Sequence, residues 1–339
     1  MWRETTKHAR NLRIFREELD GWLPGKILDF HVHLLNAAAV RRKLLRPGGH
    51  PVRKYDFTDL RRDLAGLYPG RRTSAVCFGF PERAFDLAAN NRYVERGADR
   101  RRFFALRLLD PYEDPAAVRR ELAAGRFLGL KPYLNYVRGK KTADIEIPDM
   151  LPDWAMKIVD DLGQIVVLHI PRPGRLADPV NQEQLVALCR RWPRAKIVLA
   201  HIGRAYYLKG VLGQLEGLKR LPNLWFELAM VGNPEVLEHL FATVAPEKIL
   251  YATDMPIALA PGKSVEINDQ YTYVTPVPWE LSIHDPAGKI VFTSFAYEEL
   301  RAIRKAVGRL GLGARFLRGI FHDNGMRLLR SAIRGGKEQ

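Results

Sequence analysis

Cysteine is nearly absent: Cys77 and Cys189 are the only two in 339 residues. They lie far apart and neither belongs to a CxxC pair, so they supply neither a disulfide framework nor a thiolate metal site. Apolar runs approaching the roughly eighteen residues of a membrane-spanning helix are also missing. The N-terminal stretch MWRETTKHARNLRIFREELDGW is charged throughout and lacks the apolar centre of a secretory signal, so a cytoplasmic protein is expected. There is no internal repeat and no low-complexity tract. No block of like charge occurs either, although 54 basic against 38 acidic residues leave a net charge of +16. The arginines of DFTDLRRDLAGLYPGRR and VRRELAAGRF are interleaved with acids, the pattern of solvated helix faces rather than of a nucleic-acid footprint. Neither nucleic acid nor membrane is therefore expected as a partner. The excess charge suits a small anionic substrate, and a homodimer is the default assembly for a soluble enzyme.

What is present is an ordinary globular balance, 47% apolar and 27% charged, arranged as a rhythm of short β-rich runs and amphipathic segments. Eight candidate strands are ILDFHVHL (27–34), SAVCFGF (74–80), RFFALRLLD (102–110), GLKPYLN (129–135), IVVLHIP (165–171), KIVLAHIG (196–203), LWFELAM (224–230) and KILYATDMP (248–256). Helical patterns such as PERAFDLAANNRYVERG, DPAAVRRELAAG, DMLPDWAMKIVDDLG and PVNQEQLVALCRRW separate them. Strand and helix in alternation read as a parallel sheet with crossover helices, and eight such units predict a (β/α)8 TIM barrel forming one domain over residues 1–339. A doubly wound open sheet is the weaker alternative, since no glycine-rich phosphate turn follows the first strand. Residues 1–26 form a helical lead-in expected to cover the bottom of the barrel. Residues 257–293 form an insertion after the eighth strand, with strand-like alternation in QYTYVTPV and a turn at DPAGK. Its length and position predict a flap over the C-terminal mouth.

In the first strand, alternation places Asp29, His31 and His33 on one face and Leu28, Phe30, Val32 and Leu34 on the other. Lys131, His169, His201 and Asp254 stand late in the fourth, fifth, sixth and eighth candidate strands. Taken singly, each has an ordinary reading as a hydrogen-bonded core residue or a helix cap. Six polar groups at matching depth converge on one mouth in a barrel. Imidazole nitrogens with a carboxylate are the donor set of zinc and similar divalent ions.

The ordered motifs DFHVH, GLKPY, LHIP, LAHIG and YATDMP, with the terminal IFHDNGMRLL, resemble the amidohydrolase superfamily, and within it the amidohydrolase-2 branch of metal-dependent hydrolases and decarboxylases. The resemblance spans roughly residues 24–333 apart from the 257–293 insertion, which has no recognised counterpart. It implies a divalent metal, zinc first and manganese as an alternative, held by His31, His33, His169 and Asp254. It implies that His201 is a ligand of a second metal or a base and electrostatic contact to substrate. Lys131 is implied either as a carboxylated bridge between two metals or as a substrate contact. One ion per chain is the expectation, with a binuclear site as the alternative.

Such an ion activates water and polarises a carbonyl. With it, Asp254 would take the proton of the water and pass it to the leaving group, and His201 would steady the oxyanion. That describes hydrolysis of a lactone or amide. The alternative is non-oxidative decarboxylation of an aromatic or enol acid, with Asp254 or His201 protonating carbon. Arg107, which shares parity with Ala105 and Leu109, is a candidate inward cation, and Arg172 and Arg204 follow the site histidines directly. Any of the three would suit a substrate carboxylate. Glu227 is another candidate inward group. Tyr271, Tyr273, Trp279 and His284 of the insertion are candidates for closing over the substrate.

Overall fold

The computed structural model describes residues 9–41, 53–276, 282–285 and 287–335. Eight strands succeed one another in chain order around a single sheet. They are β1 (Lys26–Leu34), β2 (Arg72–Gly79), β3 (Phe103–Leu109), β4 (Phe127–Pro132), β5 (Ile165–Leu168), β6 (Lys196–Leu199), β7 (Leu224–Glu227) and β8 (Ile249–Leu250). All neighbours pair in parallel. The ring closes between β8 and β1, where Phe30 N donates to Tyr251 O (3.0 Å), Asp254 N to His31 O (3.0 Å) and His33 N to Met255 O (2.7 Å). This is the (β/α)8 barrel that the alternation predicts. The later strands are shorter than expected: His169, His201 and Asp254 leave the ladder and stand on the loops just beyond it.

The outer helices include Phe57–Leu67, Leu87–Gly97, Pro115–Ala123, Asp153–Asp161, Pro179–Arg191, Pro234–Thr243 and Phe295–Arg309. Four of them start at an aspartate whose side chain accepts backbone N–H groups of the first turn: Asp56, Asp86, Asp114 and Asp178. Such caps satisfy orphan donors and place negative charge at the positive end of the helix dipole. Among the described residues, no helix is long and apolar enough to cross a membrane.

Two apolar layers divide the strand residues. Leu28, Phe30, Val76, Phe104, Leu106, Leu128, Val167 and Leu250 fill the barrel together with Leu328 and Leu329. Their neighbours of opposite parity pack against the surrounding helices. The C-terminal helix Asn324–Gly335 thus plugs the bottom of the barrel. Gly325 sits so close that a Cβ there would come within 2.7 Å of Leu28 Cδ2. Within the described residues 9–25, the lead-in does not enter the barrel. Its Phe15 and Leu19 join the outer layer, and Glu18 pairs with Arg301 (2.9 Å) on the helix Phe295–Arg309. An aliphatic stripe of Leu328, Leu329 and Ala332 fits the narrow barrel interior, and the described part of the lead-in packs on the outside.

Two bulges decide which side chains face inward. Asp29 pairs with Ala75 and Val32 with Cys77, so β1 takes three steps where β2 takes two. Simple alternation fails here: Leu28 and Phe30 point in, and beyond the bulge His31 and His33 point in as well. Asp29 turns away from them and clamps the bulge, accepting from His31 N (3.1 Å), Thr253 N (3.0 Å) and Thr253 Oγ1. It thereby ties the β8–β1 seam. Burial pushes its carboxyl up to about 7 despite these bonds. On β4, Phe127 pairs with Ala105 and Leu130 with Arg107, leaving Gly129 as the extra residue. Gly129 has φ 150°, and a Cβ on it would lie 1.8 Å from Ile165 O. Only glycine fits, and the bulge swings Lys131 into the barrel. Gly129→Ala should cost about 4 kcal/mol or more, or yield no soluble protein, as read by urea unfolding. A variant of native stability would refute this account of the bulge.

The insertion forms a small sheet in which β9 (Lys263–Ile267) and β10 (Gln270–Val274) make an antiparallel hairpin and β11 (Ser282–Ile283) lies parallel to β10. The expected turn at DPAGK is present as a bond from Gly288 N to Asp285 O (3.2 Å). Tyr271 packs on Tyr206 (ring centroids 4.7 Å apart), and Glu266 accepts from Leu208 N (2.9 Å). These contacts set the hairpin against the loop that follows His201. Trp279 lies outside the described residues, and His284 is exposed.

Candidate active site

His31 and His33 from the end of β1, Glu227 from the end of β7, and His201 and Asp254 from the loops after β6 and β8 meet inside the mouth. Glu227, fully buried, is the hub. Its Oε1 accepts from His31 Nδ1 (3.0 Å) and His201 N (2.8 Å), and its Oε2 from Ala229 N (2.7 Å). His33 Nδ1 donates to Gly79 O (3.0 Å) and His201 Nδ1 to Ala229 O (2.9 Å). Carbonyl and carboxylate oxygens only accept, so all three rings donate from Nδ1, and in the neutral imidazole, the form that binds a metal, each Nε2 presents a bare lone pair.

Those lone pairs converge. The Nε2 atoms of His31 and His33 are 3.2 Å apart, and Asp254 Oδ1 lies 3.2 Å from the second and 3.5 Å from the first. Asp254 Oδ1 is buried and receives no hydrogen bond from the described residues. One ligand atom each from His31, His201 and Asp254 lie within 4.8 Å of one another. Facing electron pairs with no proton between them repel, and a cation relieves the repulsion. An N···N span of 3.2 Å also suits two imidazoles about 2.1 Å from a common centre. The donor set fits a divalent ion. Burial, reinforced by Lys131 and the neighbouring histidines, holds the His31 imidazole well below its ordinary value, which keeps it in the ligand form.

His169 stands on the far side of His201, with ring centroids 5.4 Å apart, and stacks near Tyr133 at 5.0 Å. Its Nδ1 is buried without a hydrogen-bond partner among the described residues. It borders the trio of His31, His201 and Asp254 without belonging to it. Burial first, then His201 and Arg204, holds its imidazole well below the ordinary value. Lys131 is completely buried, its Nζ has no hydrogen-bond partner among the described residues, and it lies 5.2 Å from the Phe78 ring centroid. Burial lowers the ammonium to about 8 against the pull of Glu227 and Asp254.

The backbone here is strained. His201, Ile202, Gly203 and Arg204 are consecutive left-handed residues (φ 55°, 51°, 65° and 62°), and Asp254 has φ 70°. Each non-glycine residue in that region costs on the order of 1 kcal/mol and persists only where the surroundings hold it. Here the bonds of His201 N to Glu227 and His201 Nδ1 to Ala229 do so.

The arginines separate into two groups. Arg107 does share parity with Ala105 and Leu109, but that face points outward. Its guanidinium is bound by Glu113 (2.8 Å) and Glu121 (2.7 Å), and the inward residues of β3 are Phe104 and Leu106. Arg172 is engaged by Asp178 at 3.1 Å. Arg204 donates only to the carbonyls of Ile170 (3.5 Å) and Pro171 (3.2 Å) and forms no ion pair among the described residues. Arg175, which sequence reasoning missed, lies 4.3 Å over the Tyr271 ring and 6.0 Å from that of Tyr206, its Nε buried without a hydrogen-bond partner among the described residues. Tyr206 in turn is 6.2 Å from the His201 ring. Nothing in the surface-like stretch PRPGRLADP separates Arg175 from Arg172, so only the fold distinguishes them.

A barrel whose mouth gathers imidazoles and a carboxylate for a divalent ion defines a class of metal-dependent enzyme. The sequence profile of the Amidohydrolase family matches residues 28–330, and the chain belongs to that family of enzymes. Superfamily members bind a divalent metal. No curated protein matches the chain in sequence. Among solved structures, it resembles an amidohydrolase from Burkholderia multivorans with bound zinc (13% identity, TM-score 0.58, covering 90% of this chain and 99% of that one). It also resembles a probable 2-pyrone-4,6-dicarboxylic acid hydrolase from Acinetobacter baumannii with citric acid bound (15% identity, TM-score 0.57, 90% and 99%). A third is the 2,6-dihydroxybenzoate decarboxylase from Rhizobium (14% identity, TM-score 0.52, 91% and 99%). At these identities the likeness is one of fold.

Proposed function

We propose that this chain is a metal-dependent hydrolase of a small acidic carbonyl compound, a lactone or an amide, working with one zinc ion. The observation that carries the reading is the meeting of bare Nε2 lone pairs with the undonated Asp254 Oδ1. His31, His33 and Asp254 would hold the ion, with His201 or His169 completing the set. The ion would supply Lewis acidity and an activated water. Asp254 takes the proton from the attacking water and returns it to the leaving oxygen or nitrogen. The tautomer of His201 makes its Nε2 an acceptor, which suits a ligand or base and leaves the oxyanion to another donor. Lys131, whose Nζ donates to none of the described residues, is the group best suited to that role. Arg204 and Arg175, which form no ion pair among the described residues, support an anionic substrate.

The test is a screen of zinc-loaded protein against sugar-acid lactones, cyclic amides and hydroxybenzoate-like acids. Ring opening without release of carbon dioxide is expected. Release of carbon dioxide from a hydroxybenzoate would replace this reading with decarboxylation at the same site.

Lys131→Met should leave the metal content unchanged and lower kcat by about 10²–10³ on the compound the screen returns, the usual cost of an oxyanion donor. Loss of metal from this variant would instead make Lys131 a bridging ligand.

A further inference from the structure

We propose that Glu299 is a positioning residue for His201, acting through the Ala229–Met230 turn; the inference rests on the metal reading above. Glu299 lies on the helix Phe295–Arg309, outside the barrel, and is 1% exposed. Its Oε2 accepts from Met230 N (2.9 Å). Met230 is a non-glycine residue with φ 61°, a conformation that needs support from its surroundings. The preceding N–H, of Ala229, goes to Glu227 Oε2 (2.7 Å). Two buried carboxyl groups therefore hold successive N–H groups of one turn, one from inside the barrel and one from outside. With both tied, the Ala229 carbonyl is turned to His201 Nδ1 (2.9 Å), the bond that puts the His201 proton on Nδ1 and its lone pair at Nε2.

The competing account is that Glu299 merely fills space under the helix. Aliphatic side chains do that better, because an unpaired buried carboxyl oxygen is costly and Glu299 Oε1 has no hydrogen-bond partner among the described residues. Burial, with Asp29, Glu227 and Asp254 nearby, pushes its carboxyl well above the ordinary range. An acceptor at that place is what the turn uses, and glutamine supplies the same acceptor.

Three variants test this without any substrate: Glu299→Met, which keeps the volume and removes the acceptor, Glu299→Gln, which keeps it, and Leu300→Ala as a packing control on the same helix. Zinc affinity is read by chelator competition, ligand geometry by the visible spectrum of the cobalt-loaded protein, and stability by thermal unfolding. Glu299→Met should bind zinc about 10–100-fold more weakly, the usual effect of losing an outer partner of a metal-binding histidine, with an altered cobalt spectrum. Glu299→Gln should match the wild type. Leu300→Ala should melt earlier with unchanged affinity and spectrum. The proposal fails if Glu299→Met melts earlier yet binds zinc and cobalt as the wild type does, or if Leu300→Ala weakens zinc equally. A wild type without zinc affinity would remove the metal reading and this inference together, an outcome distinct from both.

Discussion

Purified with zinc, the wild-type chain should carry close to one ion, and Asp254→Asn should carry markedly less. Asparagine tolerates the left-handed backbone at this position (φ 70°), so the substitution removes charge and leaves the fold. Three imidazoles alone, with no anion, hold a divalent ion more weakly, and the proton acceptor is lost along with it. We expect kcat/KM to fall by at least about a thousandfold, or about 4 kcal/mol. His31→Ala should behave alike and should also destabilise the apoprotein, because Glu227 then loses its ring N–H partner at 3.0 Å in a fully buried site. Chelation of the wild type should lower its melting temperature, and readdition of zinc at 100 times Kd should restore about 2.7 kcal/mol. Full activity and unchanged melting after exhaustive chelation would defeat the metal reading.

The strands and the order of the site residues were legible because each rests on local chemistry. Apolar β-branched runs mark the eight strands, and polar residues interrupt them where the mouth opens. Facing was not legible. A bulge adds one residue without changing composition, so the alternation in ILDFHVHL joins Asp29 to the two histidines although the chain turns it away. The same limit misplaced Arg107, whose neighbours Ala105 and Leu109 are as apolar as an inward set would be. Glu227 could be flagged from parity, yet its function as the hub for His31, His201 and Ala229 depends on three elements meeting in space. Glu299 left a readable trace. It falls four residues from both Phe295 and Ile303, on the buried stripe of its helix, and an acid on such a stripe calls for a partner. Arg175 left none, since its distinction is the Tyr271 ring arriving from a segment about a hundred residues later.

Excising residues 263–289 and closing the gap with a short glycine linker should leave the zinc content intact and lower turnover by at least about a hundredfold. The cut is geometrically simple. Gly262 N donates to Thr293 O (2.9 Å) and Phe295 N to Ala260 O (3.0 Å), so the two ends of the insertion already lie side by side. None of the metal-site donors belongs to the excised segment. What would be lost is the Tyr271 ring on Tyr206 and Arg175, the Glu266 carboxylate that takes Leu208 N and Asn233 Nδ2, and the cover these give to the loop after His201. Without them Arg175 keeps its charge but loses the face that fixes it, and water reaches a mouth whose electrostatics depend on its exclusion. Tyr271→Ala should reproduce the part of the defect that belongs to substrate grip, raising KM more than it lowers kcat. An excised enzyme with wild-type kinetics would show that the hairpin is ornament to the barrel, while loss of zinc on excision would show that it supports the ligands themselves.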